Sequence, residues 1–284
     1  MKKSILPSPG DIAGEALKIA KNCRHYAMCK IDFLGSGICA SGLLYQYVSF
    51  FPQGRMDLYA AICEKTVPVT EQCVEIAAGC DLCGKCDYQC YFVNEMRPSI
   101  VMKALKDYVD DYLQNGGEIV AVPEDRILKE LRRIVGHFWA ANDPAVKIAY
   151  HHDICPHVDF KMPQYVVLPG SKEEISAIIK LLNDHQIPYV VRGNGASTHG
   201  LAFSEGAVLD LQRMKTIEFD EKNWLVKAGP GVAAFELQSA AAGRGFRVHT
   251  AEPAALVCAN IMTSGLLSTF STTYGIAADN FIDA

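Results

Sequence analysis

Four cysteines stand at Cys80, Cys83, Cys86 and Cys90, in the spacing C-x2-C-x2-C-x3-C. Thiolates at steps of three on a tight loop reach three irons of one cubane. The fourth, a turn further on, points at a second cluster in two-cluster ferredoxins. A structural zinc site wants two C-x2-C pairs with a longer loop between them, which this packed run does not offer. Tyr91 stands where proline commonly follows the fourth cysteine, and that changes no ligand. A ligand lent to a second cluster requires a second set, and Cys23, Cys29 and Cys39 are the candidates. They complete one cubane with Cys90, or Cys39 crosses over to complete the set of Cys80, Cys83 and Cys86. Two cubanes take one ligand more than these cysteines supply. Cys63, Cys73 or His25 would provide it, although Cys63 and Cys73 lie in helix-like stretches where a thiol packs as a small apolar group.

A second constellation is Arg192-Gly193-Asn194-Gly195-Ala196-Ser197-Thr198-His199-Gly200, directly after an apolar strand. Glycines let backbone N–H groups close on a phosphate, and Ser197 and Thr198 add hydroxyl donors. The run is neither G-x-G-x-x-G nor a Walker loop. His151, His152, Cys155 and His157 form a third group, read as polar linker residues because no second ligand group is spaced to match them.

The elements around these groups change period along the chain. Asp11 to Asn22 reads as a helix before Cys23. Ser99 is an N-cap for a second helix, with Val101, Leu105, Tyr108 and Tyr112 on one face and Gly116-Gly117 as its stop. Pro123 opens a third, with Ile127, Leu131, Ile134, Val135 and Phe138 as its stripe. Beyond them, Tyr165 to Leu168 is a strand. Ser171 and Glu174 form a capping box for a helix burying Ile175, Ile178, Ile179 and Leu182. Tyr189 to Val191 and Ala207 to Leu211 are further strands, Ile217 to Phe219 and Trp224 to Ala228 a hairpin, and Ala233 to Ala242 a helix. The expected organisation is an all-α domain at 10–140, a linker at 141–162 and an α+β domain at 163–284.

Composition sets the bounds. The chain has 284 residues, 50% hydrophobic and 21% charged, with a net charge of −5, so a packed core is expected and disorder is excluded. The charge gives no reason to expect nucleic acid. No apolar run approaches the roughly 18 residues of a spanning helix, and Met1 to Pro9 lacks an export signal. A cytoplasmic protein is expected. Nine of the 11 cysteines fall between Cys23 and Cys90, an odd and crowded set that suits metal ligation rather than disulfides.

The stretch Cys23 to Cys90, with Phe51-Pro52-Gln53-Gly54-Arg55-Met56 between its cysteine groups, resembles the α-helical ferredoxin domain. That domain occurs in heterodisulfide reductases and in the iron–sulfur subunits of glycerol-3-phosphate and glycolate oxidoreductases. The resemblance implies two [4Fe–4S] clusters that relay electrons. Arg55 and Arg97, near the cysteine groups, could tune a cluster's potential, but they read first as solvated surface arginines. Residues 163–284 resemble the FAD-binding (PCMH-type) domain of the vanillyl-alcohol oxidase/p-cresol methylhydroxylase superfamily. Three blocks carry the likeness: Val167 to Glu174; Val191 to Gly195 with Ala207 to Leu211; and Ala259 to Gly265 with Tyr274-Gly275 and Asp279-Asn280. The nearest likeness is to the flavin subunits of glycolate oxidase and D-lactate dehydrogenase.

The second resemblance implies that Arg192, Gly193, Asn194, Gly195, Ala196, Ser197 and Thr198 bind the FAD pyrophosphate. Pro253, Asn260, Thr263, Ser264 and Gly265 would pass near the flavin. Some members tether FAD through a histidine where Ala196 stands here, so non-covalent FAD is expected. The family's flavin domain continues beyond the point where this sequence stops, so the domain is expected to be incomplete at its C-terminus and to lack a substrate cap. No catalytic acid or base is named. Together the halves imply an FAD- and iron–sulfur-dependent dehydrogenase of a small 2-hydroxy acid. Its electrons would leave through the clusters to a protein redox partner, and either the sequence is a fragment or a further chain completes the fold. The alternative is an electron-transfer subunit of a larger complex.

Overall fold

The computed structural model describes residues 9–32, 34–151, 153, 155, 161–197, 199–248, 257–259 and 271–283. The chain divides into two compact units. One holds Met1–Arg24, Ser36–Pro123 and Asp143–Ala149, the other His25–Gly35, Glu124–Asn142 and Tyr150–Ala284.

The first unit is helical. It contains α1 (Pro9–Lys21), α2 (Ala40–Tyr45), α3 (Pro52–Cys63), α4 (Glu71–Ala78), α5 (Lys85–Asn94) and α6 (Pro98–Gln114). Helices α1, α3 and α6 pack on one another and bury Ala16, Ala20, Leu58, Ile62, Val101 and Leu105. Helix α6 starts earlier than the sequence suggests. Pro98 takes its first position, and Ser99 lies inside the first turn. The Ser99 amide and hydroxyl instead donate to the Asp87 carboxylate, at 2.8 and 2.6 Å. Helix α4 is capped at its start by Thr70, whose hydroxyl accepts from the Cys73 amide at 3.1 Å. At its other end Lys106 donates to the carbonyls of Ala78 and Cys80, at 3.2 and 3.0 Å.

Helix α7 (Arg126–Val135) belongs to the second unit, although its sequence position groups it with the helices before it. Asp125, rather than Pro123, marks its start, and the Asp125 carboxylate accepts from the Leu128 amide at 2.8 Å. Phe138 lies beyond its end and is exposed. A short helix, α8 (Pro144–Lys147), returns to the first unit. There its cap, Asp143, accepts from the Ala145 amide and from the Thr70 hydroxyl, at 2.8 and 2.9 Å.

The second unit carries a four-stranded sheet. Its strands are β1 (Ala140–Ala141), β2 (Tyr165–Val167), β3 (Tyr189–Arg192) and β4 (Ala207–Asp210), in spatial order β1-β2-β4-β3. β1 is antiparallel to β2; the other pairs are parallel. Helix α9 (Lys172–Asp184) connects β2 to β3. Ser171 caps it as expected, accepting from the Glu174 amide at 3.2 Å, while the Glu174 carboxylate accepts from the Gly170 amide at 2.7 Å. Helices α7 and α9 cover the sheet through a common core that includes Leu128, Leu131, Val167, Ile178, Leu182 and Leu209. The hairpin of β5 (Ile217–Asp220) and β6 (Leu225–Ala228) and helix α10 (Ala234–Ala242) follow. Among the described residues no helix is long and apolar enough to cross a membrane.

Candidate functional site

In the first unit, Cys39, Cys80, Cys83 and Cys86 line one cavity. Cys39 takes the N-cap position of α2. Cys80 follows the end of α4. Cys83 sits between Leu82 (φ 58°) and Gly84 (φ 75°), and these left-handed residues turn the loop back to present its thiols before α5 begins. The Asp81 carboxylate fixes the loop by accepting from the Cys83 amide at 3.2 Å. The cavity measures about 20 Å³. Among the described residues no three of His, Cys, Asp and Glu converge on a single metal ion. A cubane is held at separate corners, so its thiolates surround a volume instead of meeting at a point.

Arg55 is wholly buried beside this cavity, which overturns its reading as a solvated arginine. Packing around α3 gives the reason: the helix is buried nearly all round, so position 55 has no path to solvent. Arg97 is exposed, over the Tyr91 ring at 5.4 Å. The remaining cysteines lie elsewhere. Cys90 is one turn beyond Cys86 on α5, where the Asn94 amide nitrogen lies 4.0 Å from its sulfur and burial pushes its thiol up. Cys23 follows α1 in the first unit, and Cys29 belongs to the second. Cys73 is fully buried, and burial pushes its thiol up to about 12. Cys63 is exposed at the end of α3.

In the second unit, β3 delivers Arg192 to the glycine loop. Arg192 faces Asp210 across the parallel β3–β4 pair, and both are buried. Arg192 Nη1 donates to the Ala202 carbonyl at 3.1 Å, while Nε and Nη2 have no hydrogen-bond partner among the described residues. The Tyr150 ring lies 5.3 Å from the guanidinium, and the Tyr150 hydroxyl donates to Asp210 at 3.1 Å. Gly195 adopts φ 74°, a backbone that favours glycine, and a Cβ there would force the Arg192 guanidinium to move. Asn194 is buried, and its carbonyl accepts from Lys30 Nζ at 3.1 Å. Ser197 Oγ accepts from the His199 amide at 3.1 Å. Ala196 packs against Ala234 at the start of α10. Val257 bridges to Ala233 beside it. Thr198, Pro253, Asn260, Thr263, Ser264 and Gly265 lie outside the described residues, as do His152 and His157.

Lys30, Tyr150 and Asp210 are additions that sequence reasoning missed. Lys30 ends a turn whose approach has two left-handed non-glycine residues, His25 (φ 53°) and Ala27 (φ 58°). Burial pulls the Lys30 ammonium down to about 8; Asp210 opposes that shift and Arg192 adds to it. Burial pushes the Asp210 carboxyl up, against the pull of Lys30 and Arg192. Among the described residues two buried cations thus share one buried carboxylate, leaving an excess of positive charge and two donors without a described partner at the foot of the glycine loop. Such a place suits an anion such as a pyrophosphate. Asp210 carries one legible signal, an acid closing an apolar strand; Lys30 carries none.

Residues 163–284 match the family described as FAD binding domain. A D-lactate dehydrogenase of Archaeoglobus fulgidus is 37% identical over 103 residues, covering 35% of this chain and 23% of its own length. The glycolate oxidase subunit GlcD of Bacillus subtilis is 32% identical over 104 residues, covering 36% and 22%. An FAD-linked oxidoreductase of Mycobacterium tuberculosis is 29% identical over 156 residues, covering 52% and 33%. The chain spans a third or less of the length of these relatives. Among solved structures, a glucose dehydrogenase, Phl p 4.0202, aligns with TM-score 0.49 at 20% identity, covering 56% of this chain and 35% of that one. Residues 163–284 are thus similar to an FAD binding domain, in a part of the chain whose own elements are α+β, and to FAD-linked oxidoreductases that include a D-lactate dehydrogenase and a glycolate oxidase subunit.

Proposed function

We propose that this protein is an FAD- and [4Fe–4S]-dependent oxidoreductase that oxidises a small 2-hydroxy acid and passes the electrons to a protein redox partner. The observation that carries it is the buried surplus of positive charge at the glycine loop of a domain that matches FAD binding proteins. Arg192 and the backbone of residues 193–197 would hold the pyrophosphate, with Lys30 steadying the loop through Asn194. FAD, when bound, supplies two-electron hydride acceptance, and clusters supply one-electron steps. The D-lactate dehydrogenase and glycolate oxidase relatives point to the substrate class.

For the clusters, the cavity in the first unit favours Cys39, Cys80, Cys83 and Cys86 as one ligand set, the crossover arrangement. Cys90 is then left to serve another cluster.

The test is anaerobic purification followed by assay of flavin, iron and sulfide, then addition of D-lactate or glycolate. Bleaching of the flavin absorbance by either acid supports the reading. Zinc without sulfide would sink the electron relay. Flavin that neither acid bleaches, but that a reduced partner protein reduces, would leave an electron-transfer subunit instead.

A further inference from the structure

Arg55 is fully buried, and every hydrogen bond of its guanidinium goes to a neutral oxygen or to sulfur. Nε donates to the Ile76 carbonyl at 2.9 Å and Nη2 to Ser41 Oγ at 2.6 Å. Nη1 donates to the Phe50 carbonyl and to Cys39 Sγ, the latter at 3.5 Å. Among the described residues it forms no ion pair. Asp81, the carboxylate on the cavity wall, is exposed and occupied with the Cys83 amide. A buried cation without an anion is costly, because the interior does not repay the lost hydration. The group it touches that can carry negative charge is the Cys39 sulfur.

We infer that Arg55 is the counter-charge of the metal centre held by Cys39, Cys80, Cys83 and Cys86, and that it raises that centre's reduction potential. The inference rests on the iron–sulfur reading above. A thiolate-ligated cluster is anionic and gains one further negative charge when it accepts an electron from a reductant. A cation hydrogen-bonded to a ligand sulfur stabilises the reduced form more than the oxidised form. Arg55 is a positioning residue in this scheme. Ser41 completes the arrangement: its hydroxyl donates to the Phe50 carbonyl at 3.2 Å and lies 3.5 Å from Cys39 Sγ, which holds the guanidinium and the sulfur together.

The experiment is an anaerobic redox titration of the full chain followed by electron paramagnetic resonance, on wild type, Arg55→Gln and Arg55→Lys. Iron and sulfide are assayed on each. Loaded Arg55→Gln should shift one cluster's midpoint to a lower potential and leave any other cluster unmoved. Arg55→Lys, which keeps the charge, should shift it less. If Arg55→Gln fails to load, Arg55→Lys should still load; loss in both overturns the counter-charge role. Unchanged midpoints in loaded Arg55→Gln, or equal shifts in the two variants, also overturn it and leave the iron–sulfur reading standing. Wild-type protein without sulfide overturns both.

Discussion

Lys30 Nζ donates to the backbone carbonyl of Asn194 across 164 positions of sequence, at 3.1 Å and out of contact with water. The residue after Cys29 therefore supports the glycine loop that we propose binds the FAD pyrophosphate.

Lys30→Met should weaken FAD retention by at least about tenfold, since it removes a charged donor worth roughly 1.5–3 kcal/mol. It also leaves the buried Asp210 carboxylate with Arg192 as its remaining cation. Adding Asp210→Asn to Lys30→Met should recover part of the lost stability by removing the under-compensated charge. Flavin fluorescence titration and urea unfolding of both variants measure the two effects. A double variant less stable than Lys30→Met would refute the charge account.

Gly195→Ala should lower FAD affinity, again by about tenfold or more. A left-handed backbone costs an L-residue roughly 1–2 kcal/mol, and the new methyl displaces the Arg192 guanidinium from beneath the loop. Isothermal titration with FAD decides it; wild-type affinity would show that Arg192 does not face the cofactor.

Anaerobically prepared protein should contain iron and sulfide near about eight each per chain, the content of two four-iron cubanes. Cys39→Ser and Cys90→Ser should each halve that content and should remove different resonance signals. A wild-type content near four would leave one cluster. Loss of the same signal in both variants would place Cys39 and Cys90 on one cubane.

Thr70→Val removes both the cap of α4 and the hydroxyl that donates to Asp143, and should cost about 1–3 kcal/mol. The cost depends on pH. Burial already pushes the Asp143 carboxyl up, while the Thr70 hydroxyl holds it down. Without that hydroxyl the folded-state value rises further, so the variant loses more stability as pH climbs through it. Urea unfolding at pH 4 and pH 8 should show the larger deficit at pH 8; a larger deficit at pH 4 would contradict this sign.

Local signals were plain in the sequence. The stripe of Ile178 and Leu182, the Ser171 cap, the strands β2 to β4 and the glycine loop after β3 all follow from short-range rules. The spacing of Cys80, Cys83 and Cys86 was likewise legible as a ligand run. A periodic apolar stripe specifies that a face is buried, and leaves open what it is buried against. Helix α7 shows this, because Leu128, Leu131 and Val135 suit any apolar partner, and the sheet of the second unit supplies it. The placement of Cys39 with the later cysteines, the burial of Arg55 and the reach of Lys30 to Asn194 are tertiary decisions. Each depends on contacts between distant segments, whose energy is spread over many side chains and is written in no single motif.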